Sequence, residues 1–188
     1  MENIKYIIIQ AGGKGTRLQH LTENKPKALV SVNNSPLLFH LFKQFPKSRF
    51  IIITDYKHEV LKQYLQAYAK VEYVIVHSEG SGNVCGLSQA GKFIPQGQKC
   101  LLLWCDLLLS DDFSVPDFDD DTDCFIGITD KFKCSWSYNG GNMQKQLSSN
   151  DGIVGCNLLK DGALLRDCPT EGSFLKWVID NKLKHKSF

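Results

Sequence analysis

Five unbroken apolar runs punctuate the chain: Tyr6–Ile9, Phe50–Thr54, Tyr73–Val76, Cys100–Trp104 and Phe125–Thr129. Because they are continuous rather than alternating, they read as strands buried on both faces. The stretches between them follow a helical period. Pro36–Phe45 opens on proline and repeats Leu37, Leu38, Leu41, Phe42 and Phe45. His58–Tyr68 does the same with Val60, Leu61, Tyr64, Leu65 and Tyr68, and Val84–Phe93 is a weaker third helix. Alternating strands and helices predict a mainly parallel sheet with right-handed crossovers.

Past residue 110 the pattern shortens. Asp111, Asp112, Asp117, Asp119, Asp120, Asp121 and Asp123 surround Pro116, which reads as a solvated loop in preference to a second metal site. Asn139-Gly140-Gly141-Asn142 is a hairpin turn signal between predicted strands at Lys133–Tyr138 and Met143–Leu147. Gly152–Leu159 is a further strand and Phe174–Asn181 a short helix. The chain therefore reads as one domain over 1–188, with a nucleotide half to about residue 110 and an acceptor half from about 111. Ligands in such folds sit at the carboxyl ends of the strands, where the Gly12 turn, Asp55, Glu79 and Asp106 all fall.

Composition narrows the class. The 188 residues are 43% hydrophobic and carry 22 basic against 20 acidic side chains, enough for one core and too balanced for a nucleic-acid-binding field. No apolar run approaches the roughly 18 residues of a membrane span, and Met1-Glu2-Asn3 does not open a signal peptide. A cytoplasmic site is expected by default. Seven cysteines without a C-x-x-C pair suit buried thiols in a reducing compartment better than zinc or a disulfide framework.

The chemistry lies where the first strand ends. Gln10-Ala11-Gly12-Gly13-Lys14-Gly15-Thr16-Arg17-Leu18 delivers two cations on a glycine-rich turn, and Lys25-Pro26-Lys27 brings two more. Glycine brings backbone N–H groups close to an anion, while Arg and Lys neutralise phosphate charge. The spacing is not that of a P-loop, and Leu18 stands where a dinucleotide-binding turn has its third glycine. The pattern is that of a nucleoside-triphosphate site.

The G-G-x-G-T-R-L turn with its trailing P-K-x-L resembles the signature of the sugar-phosphate nucleotidyltransferases, some of which activate phosphocholine and other phosphorylated alcohols. Looser likenesses run through Gly86–Ala90, Leu101–Asp106 and Gly152–Gly155. The resemblance implies an α/β fold: a Rossmann-like, mixed, mainly parallel sheet flanked by helices, of nucleotide-diphospho-sugar transferase type, with a smaller β-rich acceptor-binding part. It also implies Mg²⁺ as cofactor and transfer of a nucleoside monophosphate from a triphosphate to a sugar 1-phosphate, with pyrophosphate released. A cytidylyltransferase for phosphocholine or a similar alcohol and a non-catalytic nucleotide-binding module are the alternatives.

Residue by residue, the resemblance implies that Gln10, Ala11, Gly12 and Gly13 line base and ribose, and that Gly13, Lys14, Gly15 and Thr16 wrap the outer phosphates. Arg17 grips the departing pyrophosphate, and Lys27 bridges the α-phosphate and the acceptor phosphate. Asp106, a lone carboxylate after an apolar run, matches the metal ligand, although Trp104-Cys105 precedes it where a small residue is usual. Glu79, Gly80, Gly82, Asn83 and Gln89 fall in the base-recognition loop and helix. On the acceptor side stand Asp151, Gly152 and Glu171. A sugar would call for hydroxyl partners such as Glu171, Asp151 and Asn157, whereas a quaternary ammonium would call for an aromatic wall of Trp136, Tyr138 and Trp177. The five histidines show no catalytic pattern. The expected partners are an NTP and a small phosphorylated acceptor, not nucleic acid or a membrane; self-association is left open. The family's late metal-binding Asp has no counterpart here, so the native chain is expected to continue beyond Phe188, with a further domain left open.

Overall fold

The computed structural model describes residues 4–78 and 80–188. In chain order the strands are β1 (Tyr6–Gln10), β2 (Ser31–Val32), β3 (Ser35–Pro36), β4 (Arg49–Thr54), β5 (Glu72–His77), β6 (Cys100–Trp104), β7 (Cys124–Thr129), β8 (Ser137–Asn139), β9 (Asn142–Gln144), β10 (Gly152–Leu159) and β11 (His185–Ser187). The helices are α1 (Leu37–Gln44), α2 (His58–Tyr68), α3 (Leu87–Gly91) and α4 (Phe174–Asp180), with 3₁₀ segments at Thr16–Thr22, Lys27–Leu29 and Gly162–Asp167.

The main sheet runs β11-β7-β10-β6-β1-β4-β5, and the β8–β9 hairpin joins it through β10. Strands β6, β1, β4 and β5 are parallel. Strand β10 runs against both β6 and β7, so the second half of the chain enters the middle of the sheet. The chain leaves β1 toward β4 and β5, then returns to its other side at β6. That reversal opens a crevice at the carboxyl ends of β1 and β6.

Alternation across the strands divides the core between the two faces of the sheet. Ile7, Ile9, Phe50, Ile52, Leu101 and Leu103 pack with Leu38 and Leu41 of α1 and Leu61 and Leu65 of α2. Ile8, Ile51, Ile53, Leu102 and Ile126 pack on the opposite face with Leu87 and Ala90 of α3, Leu165, and Phe174 and Val178 of α4. Both faces are thus covered, as the unbroken apolar runs require.

Differences from the sequence reading are local. Helix α3 is shorter than Val84–Phe93, because Gly86 sits in the left-handed region (φ 79°) and opens the helix there. The hairpin strands shrink to three residues each, with Gly140 and Gly141 at φ 55° and 85° between Asn139 and Asn142, a two-residue turn of the primed type. The basic tail is not a free end: β11 pairs parallel with β7. Beside it the acidic loop is engaged. Asp119 pairs with Lys186, Asp121 with Lys184 at 2.8 Å, and the Asp123 carboxylate accepts the Lys184 N–H at 2.8 Å.

All seven cysteines are free and buried. Burial pushes the Cys105 and Cys156 thiols up to about 12, so they stay neutral and unreactive at physiological pH. Among the described residues no helix is long and apolar enough to cross a membrane.

Candidate active site

Hydrogen bonds on both sides of the β1 tip fix where the glycine-rich turn begins. Ala11 N–H donates to Ile53 O at 2.8 Å, and Cys105 N–H donates to Gln10 O at 3.2 Å. The turn then closes on itself: the Thr22 hydroxyl donates to Gly15 O at 3.2 Å. Pro26 starts the 3₁₀ turn that carries Lys27. Pro26 and Thr22 are buried while Lys27 is only partly so, which anchors the cation's base and leaves its head at the crevice. There the Lys27 ammonium pairs with the Asp106 carboxylate, at side-chain exposures of 22% and 32%.

Two clefts meet at this pair. The first, of about 410 Å³, is lined by the turn residues Gln10, Gly12, Gly13, Lys14 and Arg17, by Lys27 and Asp55, and by Gly80, Gly82 and Asn83 opposite. The second, of about 300 Å³, runs under β6 and β10 and is lined by Trp104, Phe132, Lys133, Trp136, Asn157 and Phe174, among others. Arg17, Asn83, Trp104 and Asp106 line both. They form a common wall between two compartments, one basic and glycine-rich, the other aromatic.

The loop facing the turn is tied down at Gly82 and Asn83. The Gln10 side-chain amide donates to Asn83 O at 2.8 Å, and Asn83 Oδ1 accepts the Phe174 N–H at 2.9 Å. Gly82 bridges to Gly172; a Cβ on Gly82 would lie 1.9 Å from Gly172 O, and its φ is 83°. Only glycine accommodates both the approach and the angle. The first-cleft loop, the start of α4 and the Thr170–Ser173 loop are therefore one connected unit.

Most of the predicted residues converge. Gln10, Gly12, Gly13, Lys14, Arg17, Lys27, Gly80, Gly82, Asn83 and Asp106 all line the clefts. Others do not. Ala11 is fully buried beneath the turn, and Gly15 and Thr16 form the start of the 3₁₀ segment. Gln89 lies exposed on α3, outside both clefts; α3 buries Leu87, Ala90 and Gly91 instead. Asp151 and Glu171 are exposed outside the clefts, and Gly152 is buried in the β10 ladder against β7 and β8. Glu79 lies outside the described residues.

The aromatic wall is built differently from the one proposed. Trp136 belongs to it, but Tyr138 and Trp177 are 9% and 7% exposed and sit in the core. Trp104, Phe132 and Phe174 take their place. Trp104 carried a signal, since it ends β6 two residues after Leu102 and so shares its face of the strand. Phe132 carried none, as it comes from a loop. Asp55, placed at a strand tip by the sequence, lines the first cleft. His58 and His77 stack at 4.1 Å away from both clefts, and burial with the neighbouring His77 keeps His58 below the usual histidine range.

The fold is a mixed α/β sheet with a basic, glycine-rich cleft at its strand tips, and comparison with known proteins places it in a family. The sequence profile described as nucleotidyl transferase matches residues 6–119; the chain belongs to the nucleotidyl transferase family. It is 38% identical over 74 residues to a UTP–glucose-1-phosphate uridylyltransferase of Haloferax volcanii, covering 37% of this chain and 30% of that protein. It is 41% identical over 64 residues to a glucose-1-phosphate cytidylyltransferase of Salmonella typhimurium, covering 32% and 25%. The matched stretch is thus about a third or less of either relative. Among solved structures, HddC from Yersinia pseudotuberculosis superposes with TM-score 0.72 at 20% identity, covering 98% of this chain and 89% of that one. The inositol-1-phosphate CTP transferase from T. maritima gives 0.74 at 16%, covering 99% and 85%. These two likenesses show the same α/β fold.

Proposed function

We propose that the chain carries a nucleotidyltransferase site that moves a nucleoside monophosphate from a nucleoside triphosphate to a sugar 1-phosphate, releasing pyrophosphate. The observation that carries this reading is the common wall: a basic, glycine-rich cleft and an aromatic cleft share Arg17, Asn83, Trp104 and Asp106, with Lys27 paired to Asp106. A reaction between two phosphorylated reactants needs two compartments with cations where they join. The relatives named as glucose-1-phosphate nucleotidyltransferases support the sugar 1-phosphate.

In the reaction, a phosphate oxygen of the acceptor bonds to the α-phosphorus as the bond to the bridging oxygen of the β-phosphate breaks. The electron pair leaves with pyrophosphate. A phosphate monoester is largely dianionic at pH 7, so its attacking oxygen carries no proton and no general base is required. The protein's task is to place the reactants and neutralise charge. Lys27 and Arg17 do this at the junction, and the glycine turn supplies N–H groups to the triphosphate.

Asp106 fits Mg²⁺. It is a partly exposed carboxylate at a strand tip beside the phosphate cleft, and Mg²⁺ is content with one or two carboxylates plus phosphate oxygens and water. Bound there, the ion supplies further neutralisation of phosphate charge. Among the described residues no cluster of three or more acidic, histidine or cysteine side chains would hold a metal without the nucleotide's help. In its absence Lys27 balances the Asp106 carboxylate.

A pyrophosphate-release assay tests the reading, with the four nucleoside triphosphates and Mg²⁺ against hexose 1-phosphates, myo-inositol 1-phosphate and phosphocholine. Release that depends on one triphosphate and one sugar 1-phosphate is expected. Release with phosphocholine alone would favour the alcohol-phosphate alternative, and nucleotide binding without release would favour a binding module.

A further inference from the structure

We infer that Asn157 selects the acceptor: a ring hydroxyl of a sugar or cyclitol phosphate bonds to its side-chain amide at the floor of the aromatic cleft. The inference rests on the transferase reading above. Asn157 is 4% exposed, it lines the cleft, and its Oδ1 has no hydrogen-bond partner among the described residues. A buried amide left unpaired is costly, and asparagine is a poor strand residue. Yet it stands in the centre of the sheet, in register with Leu102 on one side and Ile126 on the other. Its register neighbours are apolar, and Leu102, Ile153, Phe174 and Leu175 are among the residues that line the same cleft. A leucine would satisfy that position, so the amide is there for something that enters.

The walls indicate what enters. Ile153, Gly155 and Asn157 alternate along one face of β10, as Leu102 and Trp104 do along β6. The Trp104 indole lies on Gly155, where a Cβ would come within 2.0 Å of the ring. Glycine there lets the indole lie flat, as a platform beside the amide. A pyranose or cyclitol ring has what this geometry matches, a C–H face for the indole and hydroxyl edges for the amide. A quaternary ammonium would find aromatic faces but the wrong charge. The cleft carries Arg17 and Lys133, and Asp106, its one lining carboxylate among the described residues, is already paired with Lys27.

Calorimetric titration of the full chain, wild type and Asn157→Leu, tests this with Mg²⁺ and each triphosphate in turn. The probes are glucose, mannose and galactose 1-phosphates, the 2-, 3-, 4- and 6-deoxy analogues of glucose 1-phosphate, myo-inositol 1-phosphate and phosphocholine. A ring phosphate should bind the wild type, and Asn157→Leu should weaken it about 10–100-fold, the usual cost of one lost buried hydrogen bond. One deoxy analogue should bind both proteins alike. Nucleotide affinity should hold, and Tm should stay level or rise, because the unpaired amide is removed. Equal ring-phosphate binding by both proteins, or equal losses for every probe including the nucleotide, would overturn the assignment alone. Tighter binding of phosphocholine than of any ring phosphate would also overturn it. If no phosphate bound either protein while a triphosphate did, the transferase reading would fall and this assignment with it.

Discussion

At the scale of single residues, the site is a balance of charge around Asp106. Lys27 and Arg17 sit where two phosphorylated reactants would meet, and both are accessible, so their removal acts on the reaction more than on the fold. Arg17→Ala and Lys27→Ala should each lower kcat/KM by about 10²–10³, as loss of one preorganised electrostatic group does. The Lys27–Asp106 pair is partly solvated, so the cost to stability should stay within about 1 kcal/mol. Steady-state kinetics beside a denaturant melt would check both. Asp106→Asn should spare folding and weaken the Mg²⁺ dependence of turnover; a metal titration of that variant matching wild type would remove Asp106 from the metal site. The cations were legible because glycine spacing and proline placement are local. Gln89 and Glu171 lie exposed outside both clefts, a placement a local motif does not encode, because a helix's outward face and a loop's reach depend on tertiary packing.

At the scale of elements, the informative parts are connections rather than strands. All five strands could be read from unbroken apolar runs, since a strand covered on both faces needs apolar residues at every position, although β5, at the sheet edge, buries only Val76. The hairpin turn could be read from Asn139–Asn142, and α1 and α2 from their period. The Gly82–Gly172 bridge could not, because 90 residues separate two glycines that meet only in the fold. Gly82→Ala should strain the backbone by about 1–2 kcal/mol, the cost of a side chain at positive φ, and its Cβ has no room against Gly172. Since the same loop carries Asn83, which holds both Gln10 and the start of α4, nucleotide affinity should fall well beyond the loss of stability. Unchanged triphosphate affinity in a folded Gly82→Ala protein would mean that the loop does not shape the first cleft.

For the whole molecule, β10 and β11 join the second half of the chain to the first, and a clasp of opposite charges holds the outer edge. Lys186, with help from the Thr122 hydroxyl, lowers the Asp119 carboxyl to about 2, and Lys184 lowers Asp121. A carboxyl depressed by folding contributes stability above its ordinary value near 4 that is lost as pH falls toward the folded one. Wild-type Tm should therefore drop between about pH 4 and pH 2, by less in Lys186→Ala and by less at high salt, as screening of exposed pairs requires. The acidic loop and the basic tail were each visible in the sequence, but their pairing was not, because it spans some sixty residues. Following the label shows whether the two clefts that share Arg17, Asn83, Trp104 and Asp106 transfer a nucleotidyl group. With triphosphate labelled at the α-phosphorus and a sugar 1-phosphate acceptor, the label should appear in a sugar nucleotide while γ-label leaves as pyrophosphate, and both should slow by about 10²–10³ in Lys27→Ala. Release of γ-label as orthophosphate, with the α-label left in a nucleoside diphosphate, would mean hydrolysis at the γ-phosphate and no nucleotidyl transfer.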